Sequence, residues 1–381
     1  MKRHAKKAPE KGKTQAYNRK KNNSLVLSVL KESPSSGTML SERLGLSNSA
    51  LSGILTDLKS SGLIVEQSRR TTNGKGRKQV LFEVNGNFGL IVVVSIANYM
   101  AKIVVANIKK EILATADMEV GRYDVKAVYD IVCSIYSMLM QDQFRSIPLK
   151  EIVISWPGRV NALNGSLAVS PQFDPNLFAD KNFLVHEFSK RFPGARISVN
   201  NDIKFALVGE RDEGSLSGLE NAMLLSVDTG IGGALLIKGS PFQGEQGYAG
   251  EFGLLRAEFQ GKAQVLDEVA SLRALKLHFE KPHFSEVVEL YRNDPEAKSY
   301  VLKTGEAVGK VLSDCAAFLD VTRIVVLGRC REFGQEYLDA IKTQFRDPCY
   351  VPDLSYSTLE DPVLLGGVNF GVYQALKEAI E

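Results

Sequence analysis

The sequence predicts an α/β body of two mixed-sheet subdomains that carries a small winged helix-turn-helix at its N-terminal end. Three observations predict it. Apolar residues recur at helical spacing in three runs between Asn22 and Gly62, with a glycine-containing turn between the second and third. After Phe88 the pattern shifts to short apolar runs ordered strand, strand, strand, helix, strand, helix, and this order occurs twice. Charge divides at the same place. Residues 1–85 hold 17 Lys and Arg against 6 Asp and Glu, a balance of +11, and the remainder holds 30 against 38, a balance of −8. A basic head on an acidic body attracts phosphates locally without making the whole surface adhesive.

Residues 1–21 carry nine Lys and Arg and almost no apolar side chains to offset the entropy of ordering them, so they read as a basic disordered tail. A winged helix-turn-helix domain follows over 22–85. Asn23 or Ser24 can cap a helix whose Leu25, Val26, Val29 and Leu30 form one face, ending before Ser33-Pro34. A second helix follows Thr38, with Leu40 and Leu44 four apart and Gly45 as its stop. Ser47 caps a third, in which Leu51, Ile54, Leu55 and Leu58 fall at i, i+3, i+4 and i+7 before Gly62. Strands at Leu63–Gln67 and over Val80, Phe82 and Val84 flank a basic glycine-rich loop, residues 69–78. Asn48, Ser49, Ser52 and Thr56 face away from the core of the third helix. With the cap Ser47 and the wing residues Lys75, Arg77 and Lys78 they are candidate contacts to base edges and phosphates of a DNA duplex. Outside such a motif, short polar residues of this kind would be ordinary solvated helix surface.

In the body, strands are expected at Leu90–Ala97, Ala101–Asn107, Glu111–Val120, Glu151–Ser155 and Ile197–Val199, with helices near Val125–Met140 and Phe183–Phe192. The second set has a helix from Asp202 to Arg211, strands at Ala222–Val227, Gly233–Ile237 and Arg323–Leu327, helices between Ala263 and Asp320, and a closing helix near Asn369–Ile380. Residues 86–201 with 366–381 are assigned to the first lobe. Residues 202–365 form the second, with the ligand cleft between lobes and a dimerisation surface on the second.

Other classes are excluded by composition. At 381 residues, 44% hydrophobic and 24% charged, with 32 Gly and 13 Pro, the chain is an ordinary globular protein of two or three domains. No apolar stretch approaches the ~18 residues of a membrane helix, and no apolar segment follows the basic N-terminus as in a signal peptide. Cys133, Cys315, Cys330 and Cys349 are dispersed without a CxxC pair, which argues against a disulfide framework and for a reducing cytoplasm.

The segments IVISWPGRV, VNNDIKFALVGE, SVDTGIGGALLIKG, GYAGEFG and RIVVLG, in this order, resemble the ROK family of repressors and sugar kinases over about residues 86–381. With the winged helix-turn-helix in front, the chain is similar to the repressor branch, which includes xylose-type and N-acetylglucosamine-type repressors. The resemblance implies a two-lobed, actin-like (ribonuclease H-like) body, no catalytic residues and no cofactor.

Residue by residue, the resemblance divides. The family's kinases open their fold with a DxGxT-type phosphate loop; here the turn reads Ser95-Ile96-Ala97-Asn98-Tyr99-Met100, without the carboxylate. The second glycine-rich segment persists as Thr229-Gly230-Ile231-Gly232-Gly233, but Asp228 stands where the family usually has glycine and would repel a phosphate. That segment reads equally as a tight hairpin needing glycine conformations. On the sugar side the likeness assigns Asn201, Asp202 and Glu251 to hydroxyl binding, with Asp202 in the place of the kinases' general base, and adds Gly158 and Asp267 as further effector contacts. The family's zinc-binding His is Leu254 here, and the loop over 255–266 has no cysteine, so no metal is expected there. His186, His278 and His283 read as surface or packing residues.

The function expected is a sugar-responsive DNA-binding regulator, a repressor of carbohydrate uptake or catabolism genes, working as a homodimer or dimer of dimers on an operator. Two alternatives stay open: a ROK-type sugar kinase with an accessory DNA-binding domain, and a repressor that answers to no effector.

Overall fold

The computed structural model describes residues 15–68, 80–97, 99–168, 174–345, 347 and 351–380. The head comprises α1 (Gln15–Glu32), β1 (Ser35–Ser36), α2 (Gly37–Leu44), α3 (Asn48–Ser60), β2 (Ile64–Ser68) and β3 (Val80–Val84), with the strands in the antiparallel order β1-β3-β2. The Ser36 side chain caps α2, which ends at Gly45 in the left-handed region at φ 64°. Ser47 caps α3 by accepting from the Ala50 N–H, and Leu51, Ile54, Leu55 and Leu58 are buried as the spacing predicts. Lys75, Arg77 and Lys78, in the loop between β2 and β3, lie outside the described residues.

One expectation fails here. The helix assigned to begin at Asn23 or Ser24 begins at Gln15, so the boundary drawn at residue 21 falls inside α1 and neither residue is a cap. Arg19, read as tail, donates from Nε to Asp57 Oδ2 at 2.8 Å and so ties the first turns of α1 to α3.

The body consists of β4 (Leu90–Ala97), β5 (Met100–Asn107), β6 (Ile112–Glu119), α4 (Val125–Leu139), β7 (Leu149–Trp156), α5 (Phe183–Arg191), β8 (Arg196–Asn201) and α6 (Asp202–Glu213). It continues with β9 (Ala222–Val227), β10 (Ile231–Ile237), β11 (Ser240–Phe242), β12 (Arg256–Phe259), β13 (Lys262–Val265), α7 (Leu266–Ala270), α8 (Leu272–His278), α9 (Phe284–Asn293) and α10 (Pro295–Leu319). β14 (Arg323–Leu327), α11 (Gly334–Lys342), β15 (Asp353–Tyr356) and α12 (Pro362–Ile380) close the chain. The two five-stranded sheets, β6-β5-β4-β7-β8 and β11-β10-β9-β14-β15, have the same plan: an antiparallel three-strand meander that begins with the first strand, and two parallel strands on that strand's other side.

β4 is a nearly unbroken apolar run because both its faces are covered. Leu90, Val92, Val94 and Ile96 pack with α4 and α5, and Ile91 and Val93 face α12 and the head. Between the sheets lie α6 and α12. Ile203, Ala206 and Leu207 of α6 pack on the second sheet, and Val368, Val372 and Leu376 of α12 join the face of the first. The two helices cross at glycines: a Cβ on Gly366 would lie 1.7 Å from the Phe205 carbonyl oxygen, and one on Gly209 2.3 Å from that of Pro362. The same apolar cluster takes in Val26, Leu30, Leu40 and Leu55 of the head, so head and body share one core.

Candidate functional site

The N-terminus of α6 places the Asn-Asp pair. Asn201 is its cap: Oδ1 accepts from the Ile203 N–H at 3.0 Å, and Nδ2 donates to the Gly158 carbonyl oxygen at 2.7 Å. Gly158 and Asn201 are thus joined, and the link holds the turn after β7 to the start of α6. Asp202 follows in the first turn, its Oδ1 2.8 Å from the Ile203 N–H. Burial pushes its carboxyl up to about 6, and the nearby Asp228 carboxylate adds to the shift against the Ile203 hydrogen bond.

Glu251 comes from the second lobe, in the loop after β11, and its Oε2 accepts from Arg159 Nε at 3.1 Å. Lys204, one turn into α6, donates from Nζ to the carbonyl oxygens of Gly233 (3.2 Å) and Ala249. Burial pushes the Lys204 ammonium down to about 8, and the Glu251 charge partly offsets this. Arg159 and Lys204 link these segments and are absent from the set read from the sequence. Their signal was in the quoted segments, as the only cations of PGRV and NNDIK.

Asp267 is committed elsewhere. Its Oδ1 accepts from the Ile231 N–H at 2.7 Å and its Oδ2 from Arg273 Nη2 at 2.6 Å, which braces the glycine-rich turn from behind. That turn is a hairpin: Ile231, Gly232 and Gly233 pair with Val227, Ser226 and Leu225. A Cβ on Gly233 would sit 1.9 Å from the Phe252 ring, so packing alone accounts for this glycine. Asp228 Oδ2 accepts from the Arg329 N–H at 2.9 Å, and the carboxylate lies between this hairpin and the Gly328 turn after β14. An incoming phosphate would meet like charge there.

In the turn that opens the fold, Ser95, Ile96 and Ala97 finish β4, and Tyr99 takes φ 60° before β5. Asn98 lies outside the described residues. His278 stacks on Tyr300 with ring centroids 3.6 Å apart, and His186 Nδ1 lies 2.5 Å from Asp180 Oδ2. Among the described residues, no three His, Cys, Asp or Glu side chains group so as to hold a metal ion.

On the head, Ser47, Asn48, Ser49, Ser52 and Thr56 are all exposed along one side of α3. Gly53 lies among them, with nothing within 4 Å of where its Cβ would be. This strip of short side chains lets a helix backbone approach a surface closely.

The ROK family model matches residues 94–353. The chain is 22% identical to the xylose repressor of Bacillus spizizenii over 365 residues, 92% of this chain and 93% of that protein. It is 24% identical to the xylose repressor of Caldicellulosiruptor bescii over 263 residues, 67% of this chain. That match and a second Caldicellulosiruptor relative span 64% and 63% of those proteins, just under two thirds of their length. Among solved structures, a ROK family transcriptional regulator, a homolog of the E. coli MLC protein, superposes with a TM-score of 0.78 over 95% of this chain and 98% of its own, at 19% identity. A ROK hexokinase from Thermus thermophilus superposes with a TM-score of 0.62 over 76% of this chain and 99% of its own, at 21% identity. These structural likenesses establish the two-lobed fold, and the family model, which covers more than half of the sequence, establishes descent: the chain belongs to the ROK family.

Proposed function

We propose that the chain is a sugar-responsive transcriptional repressor. The head binds an operator through Ser47, Asn48, Ser49, Ser52 and Thr56 of α3 and through the basic wing residues Lys75, Arg77 and Lys78. The cleft between lobes binds a sugar or sugar derivative through Asn201, Asp202 and Glu251. The observation that carries this reading is the pairing of an exposed recognition helix with a body whose hydroxyl-binding residues persist while its phosphate loop does not. The relatives named xylose repressors and the full-length likeness to a ROK transcriptional regulator support it. Gly158 acts by orienting Asn201, and Asp267 by bracing the Ile231 turn, rather than as ligand contacts.

The body works as a homodimer, because paired recognition helices match a palindromic site. The cytoplasm is its compartment; no helix among the described residues is long and apolar enough to cross a membrane. Effector and operator are linked: a sugar that binds the non-operator conformation more tightly shifts the population by no more than that difference in affinity.

The test is fluorescence anisotropy on DNA from the region upstream of the protein's own gene, with and without sugars. Sugar-dependent release from one site is expected. Operator affinity that no sugar changes would leave a repressor without effector.

A sugar kinase is the competing reading, since the family includes kinases and Asp202, near 6, has the ionisation of a general base. Ser95 to Met100 offers no carboxylate to hold the metal that bridges nucleotide phosphates, and Asp228 occupies the other cradle. Hexose-dependent ATP hydrolysis above background would overturn the non-enzymatic reading.

A further inference from the structure

A second cleft, of about 740 Å³, opens on the first lobe where the β4–β5 turn meets the loop between β6 and α4. Tyr99, Tyr123, Glu119, Arg122, Asp124 and Asp174 line it. One wall is a ledge of aromatic rings anchored in the core. Tyr99 stacks on Tyr123 with centroids 5.1 Å apart and planes within 12°, and Tyr123 leans on Trp156 at 6.1 Å. Trp156 and Tyr123 are buried, but Tyr99 is 54% exposed.

Tyr99 holds this place against its backbone preference. At φ 60° a non-glycine residue incurs about 1 to 2 kcal/mol, which glycine would avoid and asparagine reduce. The conformation is fixed by the Tyr99 N–H donating to the Tyr123 hydroxyl at 3.0 Å. Core packing gains little from a ring with half its surface in water. A large aromatic kept in a strained turn at a cavity mouth is what a bound ring would use.

The polar groups narrow the ligand. Three carboxylates face one guanidinium, so an anion is disfavoured. Asp124 and Asp174 each accept a backbone N–H with Oδ1, from Ala127 and Asn176 at 2.8 Å, which holds both carboxylates in place. The cleft lies within the field of Asp202. Burial pushes the Tyr123 phenol up, and the charge on Asp202 reaches it and adds to that shift.

We propose that this cleft is a binding subsite for an uncharged hydroxylated ring, whose C–H face lies on Tyr99 and whose hydroxyls donate to Asp124 and Asp174, and that it rejects phosphorylated sugars. The subsite rests on the sugar-responsive reading above and specifies its ligand.

Trp156 is the only tryptophan in the chain and ends the aromatic stack, so its emission reports on the ledge. The full chain is titrated with D-xylose, D-glucose and their terminal phosphate esters, following Trp156 emission and melting temperature, with operator binding measured on the same protein. At least one neutral sugar should give a saturable response that Tyr99→Phe retains within threefold and Tyr99→Ala weakens at least tenfold, at unchanged sugar-free operator binding. The phosphate ester of that sugar should bind at least tenfold more weakly, and Asp174→Asn should narrow the gap. Parent-like affinity in Tyr99→Ala, preference for a phosphate ester, or no saturable response to either neutral sugar overturns the subsite. Operator binding intact beside such a result leaves the repressor reading standing; its absence in the parent removes that reading separately.

Discussion

Arg159 and Glu251, 92 residues apart in sequence, meet with Nε 3.1 Å from Oε2 and so join the loop after β7 to the loop after β11. A carboxylate held this way gives sugar hydroxyls a weaker acceptor than a free one. Arg159→Ala should therefore leave effector affinity unchanged or tighten it up to about fivefold, since a part-exposed ion pair contributes ~0.2 to 1 kcal/mol. Glu251→Ala removes the acceptor itself and should cost about tenfold to a hundredfold. Isothermal titration of both variants checks this, and a Glu251→Ala protein with parental affinity would place the effector elsewhere.

Asp202 carries a pH signature. Its folded value near 6 lies above its ordinary 3.8, so the folded chain holds the proton more firmly than the unfolded one. Stability contributed at this residue is greatest below about pH 4, declines through about pH 6 and is flat above that. Asp202→Asn should stabilise the protein by about 1 to 3 kcal/mol near pH 7, the upper figure being what the shift from 3.8 to about 6 implies. The gain should vanish near pH 4. Parallel melts of parent and variant across this range provide the measurement; a constant difference would mean the carboxyl titrates normally.

DNA affinity is best tested by single substitutions, because removing residues 1–85 would strip apolar side chains from a core the body shares. Ser52→Glu and Thr56→Glu place a carboxylate on the exposed strip of α3, where repulsion from phosphates should reduce operator binding at least a hundredfold with little change in melting temperature. Parental binding should fall steeply as salt rises, because Lys and Arg displace condensed counterions from the duplex. Both variants binding DNA like the parent would remove α3 from the interface.

Two glycines in helices should respond in opposite directions. Gly53 has open space at its Cβ position, so Gly53→Ala should stabilise by ~0.5 to 1 kcal/mol through helix propensity. Gly366→Ala drives a methyl into the Phe205 carbonyl and should destabilise by about 3 kcal/mol or more. Denaturant melts decide; a tolerated Gly366→Ala would mean that α6 and α12 can separate at little cost.

Much of this architecture was legible because strand and helix periods are strong where one face is buried. Leu90–Ala97, Ala222–Val227 and Arg323–Leu327 are strands over the residues their apolar runs mark out. The start of α12 was not legible. The closing helix expected from Asn369 begins at Pro362, with Gly366 and Gly367 inside it where they admit the Phe205 carbonyl and Val93. α1 begins ahead of the boundary drawn for the tail, and Arg19 in it pairs with Asp57, a partner 38 residues away. In the second lobe, β12, β13, α11 and β15 escaped notice, and Lys262–Val265, placed among helices, is a strand fixed by its hairpin partner. At the site, Asn201, Asp202 and Glu251 stood out in the motifs, whereas the links of Arg159 to Glu251 and of Lys204 to the Ala249 carbonyl join residues distant in sequence and come from the tertiary fold.

At its first residues α6 carries the Asn201–Asp202 pair, and at its last Asp212 and Glu213, where Glu213 pairs with Lys110 and the field of Asp212 reaches Lys31 of the N-terminal head. Twelve helical residues span about 18 Å with almost no axial compliance. Gly209 meets the Pro362 carbonyl with no room for a side chain, so α6 and α12 are held backbone to backbone, and α12 in turn packs in the apolar cluster that takes in the head.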